Sequence, residues 1–158
     1  MTTIVMGGPY AGFAEAHTDA GYTVVHKGDG GPVVLWGAGA AGAEALAAAA
    51  GRADVVAVVA LAPDVPTVAR ALRRGDLRGA RGAWAAGPVK AGARLDVPVL
   101  VQVADEDRTA PPEAAMAAAW AARAVVHHYP CDHGDVLAGG AWFDAALRHQ
   151  LAFLARVL

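Results

Sequence analysis

Serine is missing from all 158 residues, so no serine nucleophile, and with it no serine acyl-enzyme, is available to this chain. Cysteine occurs once, as Cys131, which excludes an internal disulfide. Long hydrophobic runs are also lacking: the longest, Val55 to Pro63, is far too short to span a bilayer. Neither sign of charge dominates. A formal net charge of -2 and a pI near 6.3 give no electrostatic case for nucleic acid or an anionic membrane as partner. The opening Met1-Thr2-Thr3-Ile4-Val5 has neither the basic start nor the apolar stretch of a secretory signal. The expectation is a soluble cytoplasmic protein with a small-molecule substrate or ligand, no cofactor and no metal.

What is present is alanine, about a quarter of the chain, a bias we attribute to codon composition and helix propensity. It carries the hydrophobic share to 56%. The length predicts one domain over 1–158, large enough for a three-layer core. Apolar runs at 3–6, 23–26, 33–36, 55–61, 98–103 and 124–129 alternate with helical patterns at 11–20, 40–51, 66–74, 112–121 and 141–157. That alternation predicts an α/β three-layer sandwich with a mostly parallel sheet. The last helix shows Phe143, Leu147, Leu151, Leu154 and Leu158 at three- and four-residue spacing, with Asp144, Arg148 and Arg156 on the other face. Pro111, Pro112 and Glu113 mark a helix start. Residues 73–97 carry no sustained period and read as an excursion over the carboxyl edge of the sheet. Trp84 within it is the tryptophan expected to touch a ligand; Trp36, Trp120 and Trp142 read as core or interface aromatics.

One connection is too short. Parallel neighbours need a crossover of about a dozen residues, yet only about six separate His26 from Val33, and they include the turn signal Asp29-Gly30. Either the two strands form an antiparallel hairpin or a stretched linker crosses without a helix. Both leave part of one sheet face bare, a surface suited to homodimerisation or to docking on a partner.

Four segments carry the chemistry. Met6-Gly7-Gly8-Pro9-Tyr10 follows the first strand, and Gly37-Ala38-Gly39-Ala40-Ala41-Gly42 joins a strand to an alanine-rich helix. Asp107 lies in the loop after Pro98–Val103, and His133 lies in Tyr129-Pro130-Cys131-Asp132-His133-Gly134. Together they resemble the α/β-hydrolase superfamily, with some likeness to its dienelactone-hydrolase branch. The resemblance implies a compact fold without a large cap domain, lacking the family's first two strands and the helix between its fourth and fifth. It implies that Gly39 occupies the vacant nucleophile position and that Asp107 and His133 are the acid and the base. Gly8 and Ala40 would supply oxyanion N–H groups, with Tyr10 beside them in the substrate site. Met6 stands where the family usually has a histidine.

The chemistry of such an arrangement does not depend on the family. A carboxylate bonded to one imidazole nitrogen fixes the tautomer and makes the other nitrogen a better base. Two converging backbone N–H groups stabilise a developing oxyanion. The first reading is therefore general-base chemistry without a nucleophile: cyclisation, elimination, lyase chemistry or direct water attack on a small carbonyl or ester substrate. A second is a catalytically dead relative that binds a small molecule or a partner. The third takes Gly37-x-Gly39-x-x-Gly42 as a dinucleotide fingerprint, with Asp64 as the ribose acid of an oxidoreductase. Other residues are weighed more briefly. His127, His128, Cys131 and His133 suggest a metal, but adjacent strand residues point to opposite faces. Cys131 as a relocated nucleophile stands on the wrong loop. Asp105, Glu106 and Asp132 read as solvated loop carboxylates. His17 and His26 have no visible partner and are expected at the surface or an edge.

Overall fold

The computed structural model describes residues 2–28, 30–64, 70–71, 74–79, 82 and 94–158. Trp84, most of the helix expected over 66–74 and most of the excursion over 73–97 lie outside the described residues. The elements are β1 (Thr3–Gly7), α1 (Ala11–Asp19), β2 (Thr23–Val25), β3 (Val33–Ala38), α2 (Ala40–Ala49) and β4 (Val55–Leu61). After them come β5 (Val99–Ala104), α3 (Pro112–Ala121), β6 (Val125–Tyr129), α4 (His133–Leu137) and α5 (Ala141–Val157).

The six strands form one sheet in the order β2-β1-β3-β4-β5-β6, and every neighbouring pair is parallel. The central strands β3 and β5 are buried at every position, which is why their sequences are continuous Val/Leu/Ala runs and not alternating ones. α1 and α5 cover one face over Ile4, Met6, Val34, Trp36 and Leu100. α2 and α3 cover the other over Leu35, Val58, Ala60, Val101 and Val103. Among the described residues no helix is long and apolar enough to cross a membrane.

The short connection takes the second of its two forms. β2 and β3 are not an antiparallel hairpin; β1 lies between them and pairs in parallel with both. Among its described residues the linker carries no helix as it passes to β3. Its His26 Nδ1–H donates to the Met6 carbonyl at 3.0 Å, and a Cβ on Gly28 would meet Val5 Cγ2 at 3.1 Å and Val33 Cγ1 at 3.6 Å. Glycine lets the backbone lie on the sheet where a helix would otherwise stand. Beyond it, Val5, Leu35, Ala41, Ala45 and Ala48 line an open groove on the α2 face.

Two sequence expectations are corrected by burial. The fully buried residues of α5 are Ala146, Gln150, Phe153 and Leu154; of the expected stripe Leu154 is among them, Phe143 and Leu147 pack half-buried on the core, and Leu158 is 49% exposed. Gln150 joins the buried face because it has buried partners there. Trp36 Nε1–H donates to Gln150 Oε1 at 2.9 Å, and Gln150 Nε2 donates to Gln102 Oε1 at 2.7 Å. Gln102 Nε2 donates to both the Tyr129 hydroxyl and the Ala146 carbonyl, at 2.6 and 2.9 Å. His17, expected near the surface, is fully buried. Its Nδ1–H donates to the Phe13 carbonyl one turn back, at 2.6 Å, which satisfies half the ring within α1. Burial lowers its pKa, and the Phe13 bond opposes the shift.

Gln150→Leu leaves the Trp36 N–H and the Gln102 oxygen buried without partners, each costing about 1–3 kcal/mol. The expected loss is about 2–4 kcal/mol of unfolding free energy, read from urea denaturation; a loss under 0.5 kcal/mol contradicts the network. For His17 the native pKa is depressed, so the native state binds fewer protons than the unfolded chain and loses stability as pH falls below 6.5. His17→Phe reduces that acid sensitivity, measured as the slope of stability against pH between 7 and 5.

Candidate active site

Strand order reverses between β1 and β3, and in open α/β sheets the crevice beyond the carboxyl ends at such a point receives ligands. β1 and β3 run level there, with Gly7 paired to Gly37. A Cβ on Gly37 would strike the Ala41 carbonyl at 2.2 Å, and one on Gly42 would lie 3.0 Å from the Gly37 oxygen. These two glycines let α2 turn back tightly against β3.

Gly39 sits between them with φ 56° and ψ -129°, a conformation L residues rarely adopt. Its N–H donates to the Leu61 carbonyl, and its own carbonyl accepts from Gly42, Ala43 and Asp64. A Cβ built on Gly39 points at His133, 3.8 Å from both Cε1 and Nε2. A side chain at this position would therefore stand in van der Waals contact with the imidazole.

The loops after β5 and β6 bring Asp107 and His133 together. Asp107 is buried and accepts the backbone N–H groups of Thr109 and Ala110 on Oδ1, both at 2.7 Å. That leaves Oδ2 to receive the His133 Nδ1–H at 2.5 Å. His133 opens α4, whose start is set by Asp132: its side chain accepts from the helix while Asp135 returns a bond to the Asp132 N–H. The buried Val136 pins this turn to the core. The Glu106 N–H donates to the Cys131 carbonyl, tying the two loops to each other. The Asp107 bond raises the His133 pKa, partial burial opposes it, and the charges of Asp107, Asp64 and Asp132 add to the rise.

Gly8 has φ 94°, and a Cβ there would run into the Tyr10 ring at 2.6 Å. Ala40 is the first residue of α2, where backbone N–H groups have no intrahelical acceptor. The Tyr10 hydroxyl lies 3.4 Å from the Ala38 carbonyl, and its ring packs edge-on to Trp36. The histidines of β6 diverge. His128 bonds Asp105 at 2.7 Å, whereas His127 stacks on His149 at 3.9 Å. Cys131 is buried, and its thiol is pushed up to about 11 by that burial and by neighbouring carboxylates, the reverse of what a nucleophile needs.

Asp64, the ribose acid of the third reading, stands against the Gly39 turn: its N–H donates to the Gly39 carbonyl at 2.9 Å. The α4 helix was missed by sequence reasoning, although the Asp132-x-x-Asp135 spacing signals its start.

No protein-family model matches the chain, and no curated protein matches it. Solved structures do. A monoacylglycerol lipase of Paleococcus ferrophilus superposes with TM-score 0.72 at 15% identity, covering 99% of this chain and 94% of the lipase. DcsB, solved in complex with its substrate analogue, gives TM-score 0.72 at 15% identity, covering 99% and 91%. Est1E from Butyrivibrio proteoclasticus gives 0.69 at 17% identity, covering 98% and 88%. The chain has the α/β-hydrolase fold, with a six-stranded parallel sheet and, among the described residues, no large cap domain.

The raised His133 pKa fixes a sign. Protonated His133 is favoured in the native state, so its contribution to stability is complete below the unfolded value near 6.5 and is lost as pH rises through the native value. An NMR titration of the His133 ring should give a midpoint above 6.5 that falls in Asp107→Asn. A midpoint unchanged by that substitution contradicts the pairing.

Proposed function

We propose that this protein is a nucleophile-independent enzyme of the α/β-hydrolase fold, using His133 and Asp107 for general-base chemistry on a small carbonyl or ester substrate. One observation carries the reading: His133 Nε2 lies 3.8 Å from where a residue-39 side chain would begin, and no side chain is there. The space left by a missing hydroxymethyl group admits a water or a substrate hydroxyl at the spot where the base works.

In the water-attack form, Nε2 takes a proton from water as the oxygen bonds to the substrate carbonyl carbon. The Gly8 and Ala40 N–H groups hold the oxyanion. Collapse breaks the bond to the leaving group, which takes the proton back from Nε2. A substrate hydroxyl in place of water gives cyclisation by the same steps, and proton removal from carbon gives elimination or lyase chemistry. Asp107 stays ionised and holds the imidazolium. The binding-only reading is weaker because burying a carboxylate costs several kcal/mol without a matching benefit to packing, and the Asp107 loop is shaped to do so.

Gly39→Ser tests this. The strained backbone is expected to cost about 1–3 kcal/mol of stability. The variant should then react with a fluorophosphonate probe, seen by mass spectrometry as one adduct on residue 39, while the parent chain stays unlabelled. In the parent, His133→Ala should lower turnover by about 100-fold or more. Labelling of the parent, or turnover indifferent to His133→Ala, would refute the proposal.

A further inference from the structure

The buried chain of hydrogen bonds beneath the sheet has a direction, and that direction ends at the surface. An indole N–H can only donate and a backbone carbonyl can only accept. Trp36 therefore fixes Gln150 with its oxygen inward, Gln150 donates to Gln102, and Gln102 uses both amide hydrogens, one on the Ala146 carbonyl and one on Tyr129. The Tyr129 hydroxyl accepts from Gln102 and lies 2.8 Å from His149 Nδ1; we assign its one hydrogen to that nitrogen, because a buried hydroxyl hydrogen needs an acceptor. His149 is thus the tautomer with its proton on Nε2, on the side of the ring away from Tyr129.

That ring lines a surface cavity of about 290 Å³ between β6 and α5, with Val125, His127, Ala152, Phe153 and Arg156. His127 stacks flat on His149, with 10° between the rings. Arg156 makes no ion pair among the described residues. Burial lowers the His127 pKa, and its neighbours His149 and Arg156 push it the same way. A guanidinium, an N–H donor and a second imidazole thus line one cavity with Val125 and Phe153, and no carboxylate stands among its described lining residues.

We propose that His149, His127 and Arg156 form a binding site for a small organic carboxylate, with Arg156 and His149 Nε2–H on the oxygens and the hydrocarbon part against Val125 and Phe153. Charge-assisted donors of this kind are the strong partners of carboxylates, and the volume lies near the lower bound of small-molecule sites. The site is on the outer edge of the sheet and does not depend on the reading of His133.

The test titrates hexanoate into the full chain and follows the ring resonances of His127, His149 and His133 by NMR, with hexan-1-ol as the uncharged control. Saturable shifts of His127 and His149 are expected with hexanoate and not with hexan-1-ol. Arg156→Ala, an exposed position outside the buried network, should weaken binding about tenfold. Movement of His133 alone, equal binding by the alcohol, or affinity unchanged in Arg156→Ala would each overturn the site.

Discussion

The bond between Asp107 Oδ2 and His133 Nδ1 is the interaction around which the carboxyl edge of this sheet is organised. Asp107 is buried, so its charge must be fully met. Two backbone N–H groups take one oxygen and the imidazole takes the other. Moving either loop would leave a buried carboxylate unpaired, a change that costs several kcal/mol. The α4 cap at Asp132, the buried Val136 and the bond from Glu106 to the Cys131 carbonyl all serve to keep His133 at that oxygen.

Against that fixed base, Gly39 is the variable part. The elbow keeps its strained φ and ψ, its close helix return and its four backbone hydrogen bonds, and glycine occupies it at little steric cost. A side chain would bring strain and a reactive group together. Without one, the turn relaxes sterically and the imidazole gains a small space in front of Nε2. On the function proposed above, a water or a substrate hydroxyl would stand where a residue-39 side chain would begin, 3.8 Å from His133 Nε2. The buried network from Trp36 to His149 lies in the same core cluster as Val136 and joins β3, β5, β6 and α5.

Much of this was legible in the residues. Continuous apolar runs announced buried parallel strands, and the resemblance to the α/β-hydrolase superfamily implied that Gly39, Asp107 and His133 share one edge, where the structure does bring them together. What was not legible depended on contacts distant in sequence. The burial of Gln150 follows from Trp36 and Gln102 beside it, both far away in sequence. His17 reads as surface until its bond to Phe13 and the cover over α1 are known. The linker after β2 was ambiguous because Asp29-Gly30 signals a hairpin turn locally, while the strand pairing is decided by β1 lying between β2 and β3. Asp64 matched a ribose acid by spacing alone, and only the bond from its N–H to Gly39 reveals its place at the elbow.

The central claim is that His133 presents a bare Nε2 to the vacant position at Gly39 because Asp107 holds the proton on Nδ1. Nitrogen-15 NMR of the histidine rings, at a pH above the His133 titration, measures that directly. The account predicts His133 as the Nδ1–H tautomer in the parent chain and a shift of the tautomer balance toward Nε2–H in Asp107→Asn. A parent chain in which His133 carries its proton on Nε2 would contradict it.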